Sequence, residues 1–140
     1  MTKIKHQEAP LKTINKEQAE KELKKRADTV SADDLQKVTE KQNEIEKKFK
    51  TNSSLGRFLE DLNLLFRLIK DYISGEYKEV PWWSIAAIVA ALLYVLNPID
   101  LIPDIIPFIG YIDDAMVIAA CLKMVEADLL SYTKWKNKNI

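Results

Sequence analysis

Four aspartates are the residues of this sequence whose type and spacing could do chemistry. They are the only charged side chains between residues 80 and 122, at Asp100, Asp104, Asp113 and Asp114. Carboxylates gathered in an apolar setting raise one another's pKa or bind a cation, and calcium and magnesium prefer such oxygen ligands. These four residues are therefore candidate metal ligands.

Each of these acids also has a structural explanation. The run from Asn97 to Asp100 has a capping side chain, a proline at the first helical position and an acid that can reach back to the cap's amide. Asp104 can cap a short turn and Asp113 the last helix, while Arg67 or Lys70 could supply ion pairs. The spacing does not match a calcium-binding loop between two helices, so capping is favoured over a metal site, and acid-base catalysis is the weakest hypothesis.

A nucleophilic site is not indicated either. Cys121 is the only cysteine, so no intramolecular disulfide can form, and it lies in an apolar run where a thiol usually packs as a small hydrophobe. An activated thiol needs a base beside it, but the only histidine, His6, lies in the polar N-terminal stretch. The sequence therefore predicts a protein that is not an enzyme and has no cofactor.

The charge pattern bounds the partners and the location. The formal net charge is zero, and no basic stripe interleaved with aromatic residues is present, so nucleic-acid binding is not supported. No apolar stretch follows the charged N-terminus, so we expect no secretory signal and a cytoplasmic N-terminus. Membrane lipid, a protein partner or both are the expected partners, with self-association possible.

Helices must position these residues, because three glycines and five prolines are too few for the turns of an all-β protein. Residues 1–30 are polar and predict a tail that is flexible or loosely helical. Residues 31–50 predict a charged amphipathic helix that Ser31 caps. Its apolar residues fall on a three-four spacing, which favours packing against one neighbour, and they are Leu35, Val38, Ile45 and Phe49.

Residues 51–133 predict one helical domain. An amphipathic helix from Leu55 to Ile73 precedes an apolar helix from Val80 to Leu96, a proline-rich connector follows, and the last helix runs from Ala115 to about Tyr132. Residues 134–140 predict a basic tail. The expected fold is therefore all-α: a small helical bundle in which two amphipathic helices precede an apolar helical hairpin.

The connector gives the chain its most specific sequence motif. The run from Tyr94 to Asp114 closely resembles the signature of the YkvA-like family, domain of unknown function 1232, and a looser similarity covers about residues 65–123. The resemblance implies a small helical protein, often regarded as a membrane protein with two hydrophobic segments, and no established reaction. The motif residues are Asn97, Pro98, Asp100, Pro103, Asp104, Pro107, Gly110, Asp113 and Asp114.

Two architectures satisfy this pattern. The stretch from Val80 to Leu96 would reach about 25 Å of a bilayer core near 30 Å, but the four aspartates prevent the stretch from Ile99 to Leu122 from crossing as a plain helix. We therefore expect a non-enzymatic membrane-associated protein, with the apolar hairpin as anchor and the helix of residues 31–50 as a cytoplasmic interaction arm. The alternatives are a soluble, cytoplasmic helical protein-interaction module and, second, an aspartate-lined divalent cation site.

Overall fold

The helices form one bundle, as the glycine and proline counts predict. The computed structural model describes residues 17–97 and 113–138, and all the regular elements in those ranges are helical, which confirms the all-α fold. The helices are α1 (residues 17–27), α2 (Ala32–Glu40), α3 (Gln42–Thr51), a 3-10 turn (Gly56–Phe58), α4 (Leu59–Ser74), α5 (Trp82–Leu96), α6 (Asp114–Met124) and α7 (Glu126–Lys138).

Helix α5 lies at the centre of the bundle. It carries no charged residue, and its residues are buried on every side from Ser84 to Leu92. Helices α2, α3 and α6 pack against it. Helix α6 is antiparallel to α5, because Cys121 packs near Ala87 and Asp114 lies near Tyr94. The two helices form the predicted apolar hairpin, whose connector (residues 98–112) lies outside the described residues.

Helix α4 adds one apolar face to the core, and it packs against α2, α3 and α7. Its buried residues recur at helical spacing, and its polar residues face outward. Gly75 ends the helix at φ 87°, a left-handed conformation that residues with a Cβ resist. The buried residues are Leu62, Leu65, Phe66, Leu68 and Ile69.

The helix predicted for residues 31–50 is two helices. The chain bends at Lys41 (φ −97°, ψ 13°) between α2 and α3. The bend lets both helices pack against the core. All four of the apolar residues predicted to contact a neighbour are buried, namely Leu35, Val38, Ile45 and Phe49. At the N-terminus of α2, the Ser31 backbone N–H donates to the Asp34 carboxylate at 2.9 Å, which confirms the predicted start.

Part of the tail predicted for residues 1–30 is a helix that packs in the bundle, so of the two alternatives for this part the flexible one is wrong. Residues 17–27 form α1, which buries Ala19, Leu23 and Ala27 in the core. Their four-residue spacing makes a narrow apolar stripe that the surrounding lysines and glutamates obscure in the sequence. Residues 1–16 lie outside the described residues.

The C-terminal segment also differs from its prediction. The single last helix is broken at Val125, and α7 continues to Lys138, where a basic tail was expected from residue 134. Tyr132 is buried and Trp135 packs partly against the core, so aromatic contacts hold the last turns in helical form. Residues 139–140 lie outside the described residues.

The contribution of α1 to the core gives a stability prediction. Leu23→Ala should lower the free energy of unfolding by about 2–5 kcal/mol, because it removes a side chain that is 2% exposed and leaves a cavity. The adjacent exposed Lys24→Ala is the matched control and should change it by less than about 0.5 kcal/mol. Urea denaturation followed by circular dichroism measures both. Equal small effects would show that α1 does not belong to the core.

Candidate functional site

The described part of the aspartate motif lies where α6 begins. Asp113 is exposed, and its Oδ1 accepts a hydrogen bond from the backbone N–H of Met116 at 2.8 Å. This bond satisfies one of the free amides of the helix N-terminus. The predicted role of Asp113 as a helix cap is confirmed.

Asp114 is half-buried behind this cap. Burial raises the pKa of its carboxyl, the nearby Lys48 lowers it and Asp113 raises it again. Tyr94 is buried at the same place, and burial, followed by the charges of Asp114 and Asp113, raises its pKa to about 12. The carboxylate and the phenol thus lie in a poorly hydrated corner between α5 and α6.

Lys48 is the cation of this corner, and sequence reasoning did not single it out. Its Nζ donates to the carbonyl oxygens of Val95 at 2.8 Å and Leu96 at 3.0 Å. These carbonyls belong to the last turn of α5, where the helix dipole favours a positive charge. Lys48 therefore caps α5 from α3, a contact between residues 47 and 48 positions apart that no local pattern predicts.

The four-aspartate site cannot be assembled from the described residues. Asp100 and Asp104 lie outside them, as do Pro98, Pro103, Pro107 and Gly110. In the ranges 17–97 and 113–138, no group of three or more histidine, cysteine, aspartate or glutamate side chains could hold a metal ion. Asn97 is exposed and closes α5, its N–H donating to the Leu93 carbonyl at 2.9 Å.

Cys121 occupies a packing position. It is fully buried, and its Sγ lies 3.8 Å from the carbonyl oxygen of Ala87 on α5. Burial raises the pKa of the thiol to about 12, which disfavours the thiolate needed for nucleophilic attack. The side chain fills the contact between the two hairpin helices.

A cavity of about 200 Å³ opens between the N-terminal helices and the last turns of α5. Charged residues of α1 and α2 line one side, and apolar residues of α5 line the other. The sequence does not reveal it, because its walls come from segments about 60 residues apart. The lining residues are Arg26, Thr29, Val30, Asp34, Lys37, Ala90, Leu93, Leu96 and Asn97.

Polar bonds fasten α7 at the other end of the bundle. The Tyr132 hydroxyl donates to Asp71 Oδ2 on α4, and Lys136 Nζ lies 3.2 Å from the same oxygen. Asp71 on α4 thus pairs with two residues of α7. The Ser84 hydroxyl donates to Asp128, which joins α7 to the first turn of α5. Burial, and then the bond to Asp71, raises the pKa of Tyr132.

Large apolar side chains reach solvent at this same end. Trp82 is 42% and Trp83 41% exposed at the start of α5, and Ile73 is 38% exposed in the last turn of α4. The Trp82 ring lies 6.4 Å from that of Tyr72, and Lys78 Nζ lies 4.3 Å above the Tyr72 ring. On α7, Leu130 is 58% exposed.

These features define a class: a small all-α protein built around an uncharged helix that pairs with a second apolar helix. The family described as "Protein of unknown function (DUF1232)" matches residues 84–120, which include most of α5 and α6. The uncharacterized membrane protein YkvA of Bacillus subtilis (strain 168) is 31% identical over 78 residues, covering 56% of this chain and 74% of that protein. The chain belongs to this YkvA-like DUF1232 family.

No solved structure gives a significant match to the chain. Of the helices in residues 17–97 and 113–138, none has the length and apolar character needed to cross a membrane.

The burial of Asp114 gives a pH prediction with a definite sign. The pKa of the Asp114 carboxyl is higher in the folded state than its ordinary value of 3.8. Protonation of this carboxyl therefore stabilises the fold fully below pH 3.8. That stabilisation is lost as the pH rises from 3.8 through the raised pKa. Asp114→Asn should therefore gain stability relative to wild type across that window.

Thermal unfolding at several pH values measures this effect. Asp33→Asn is the matched control, since Asp33 is an exposed acid in the first turn of α2. A difference between wild type and Asp114→Asn that does not change with pH would contradict the prediction.

Proposed function

We propose that the protein is a non-enzymatic, membrane-associated helical protein, with the α5–α6 hairpin as anchor and the α2–α3 segment as a cytoplasmic interaction arm. The name of the Bacillus subtilis relative, an uncharacterized membrane protein, supports the membrane association. The burial and raised pKa of Cys121 support a role without covalent catalysis.

The apolar character of α5 and α6 carries this proposal. Helix α5 has no charged side chain over its fifteen residues, and α6 has only Asp114 at its start and Lys123 near its end. An apolar surface that runs all round a helix can be satisfied by protein or by lipid. At about 1.5 Å per residue, α5 would reach about 22 Å of a bilayer core about 30 Å thick, so it is long enough to enter the bilayer but would fall short of the far side.

Anchoring requires the covering helices to leave the hairpin. Their apolar faces would move from the core to the membrane interface, where amphipathic helices lie with the charged face in water. The Ser84–Asp128 bond must break during this exchange, because Asp128 belongs to the covering helix α7. Apolar contacts replace apolar contacts, so the polar bonds that Asp128 of α7 and Lys48 of α3 make to α5 set most of the cost.

The arm is proposed on the outer face of α2 and α3. The inner face of these helices is part of the core, so the arm can present only its exposed charged residues. Both signs alternate along this face, which favours a partner that is itself charged. The exposed charged residues of this segment are Asp33, Lys37, Glu40, Lys41, Glu44, Lys47 and Lys50.

Membrane extraction tests the anchor. Membranes from cells that make the full chain should retain it through high-salt and carbonate washes and release it only in detergent. Ile88→Lys, which places a charge in α5, should lose retention, because a lysine at the centre of an apolar segment costs about 3 kcal/mol in lipid. The matched control, Leu130→Lys, changes an exposed residue of α7 and should leave retention intact.

Circular dichroism in detergent checks that Ile88→Lys is still helical. Wild-type protein found in the supernatant without detergent would exclude the anchor. It would favour the alternative of a helical protein-interaction module, which the burial of α5 from Ser84 to Leu92 among other helices supports. Size-exclusion chromatography would then show whether the chain associates with itself.

Charge reversal tests the arm independently. Lys37→Glu combined with Lys47→Glu should abolish chemical cross-links from the arm to its partner in cells. Both positions are exposed, and the two introduced glutamates would make the outer face negative. Membrane retention should equal that of wild type. The melting temperature should stay within about 2 °C of the wild-type value, since surface substitutions rarely change stability. Unchanged cross-links would contradict the role of the arm.

A further inference from the structure

The last turn of α4 and the first turn of α5 lie side by side and form an exposed, largely apolar surface at one end of the bundle. We call it the tryptophan face, meaning Ile73, Lys78, Trp82 and Trp83. The three apolar side chains are between 38% and 42% exposed, although the other buried and half-buried hydrophobics of the described residues pack into one core. A folded bundle gains nothing from leaving two adjacent tryptophans partly in water.

We propose that this face docks the folded bundle on an anionic lipid surface before the hairpin enters it, an inference that rests on the membrane association proposed above. Indole rings concentrate at the level of lipid headgroups, where the ring is partly apolar and its N–H stays hydrated. Half-exposed Trp82 and Trp83 at a helix start have this character.

Lysines beside the face match the charge of such a surface. Lys78 lies over the Tyr72 ring, which itself contacts Trp82, so a cation is held within the aromatic group. The last turn of α7 reaches the same end, because Trp135 packs 4.9 Å from Tyr77, and it carries Lys134 and Lys138 exposed. Each lysine near an anionic membrane strengthens binding.

Two exposed acids lie close to Lys78 and weaken the attraction to an anionic surface. Substitutions in this turn can therefore either weaken or strengthen docking. Glu76 and Glu79 are exposed in the turn between α4 and α5, on either side of Lys78. Neutralising Lys78 should weaken docking, and neutralising Glu79 should strengthen it. A merely structural role of this turn would not give opposite signs.

Vesicle flotation of the full chain tests the docking. Wild type should bind equimolar phosphatidylcholine and phosphatidylglycerol vesicles more tightly than pure phosphatidylcholine. The double variant Trp82→Ala, Trp83→Ala should lose at least about tenfold in partition, because membrane binding scales with the apolar area that it buries. Lys78→Gln should lose about fivefold on the anionic vesicles only, and Glu79→Gln should gain.

Lys50→Gln is the matched control for charge. Lys50 is exposed on α3, close to Lys48 and so at the opposite end of α5, and its loss should leave docking unchanged. Equal binding of wild type, the double tryptophan variant and Lys78→Gln would overturn the tryptophan face. Equal losses for Lys78→Gln and Lys50→Gln would also overturn it, because they would show a non-specific charge effect.

A second measurement does not depend on the folding of the alanine variants. In a Trp135→Phe variant, Trp82 and Trp83 are the only indoles, and their fluorescence should be quenched by vesicles of brominated phosphatidylcholine mixed with phosphatidylglycerol. No quenching overturns the docking. If cellular membranes retain the wild type and the double tryptophan variant equally, the docking fails alone; if they do not retain wild type, the proposed membrane association fails.

Discussion

The removal of α5 from water is the constraint on which the rest of the structure depends. A helix without a polar face cannot lie on the surface of a bundle, so its neighbours must surround it. Helices α2, α3 and α6 do so directly, and their buried residues join those of α5 in one shared core. The amphipathic pattern of the flanking segments is thus a consequence of the composition of α5.

A few polar bonds then fix how the covering helices are arranged. Hydrophobic burial is not directional, whereas a buried hydroxyl or carbonyl needs a partner in one place. Ser84 bonds Asp128, and Lys48 bonds the last carbonyls of α5, so one contact orients a covering helix at each end. Tyr132 and Asp71 add a third such contact, between α7 and α4.

Local sequence patterns predicted most of the helices and their ends. Contacts between residues far apart in the chain could not be predicted from such patterns. Gly75 and Asp113 act at helix ends through bonds to neighbouring residues, so their roles follow from residue type and position. The sequence places Trp135 in a basic tail, because local patterns cannot show its packing on Tyr77, which is 58 residues away in the chain. Two of the four candidate metal ligands lie outside the described residues, so that hypothesis stays a prediction.

The same burial allows both architectures that the sequence left open. Lipid is as apolar as the covering helices, so moving α5 from one to the other changes its hydrophobic contacts little. The balance therefore falls on groups that lipid cannot satisfy, above all Ser84, whose partner Asp128 would stay with α7. A serine hydroxyl inside a membrane helix can bond a backbone carbonyl one turn earlier, and Ser84 lies close to the end of α5, where headgroups and water are within reach.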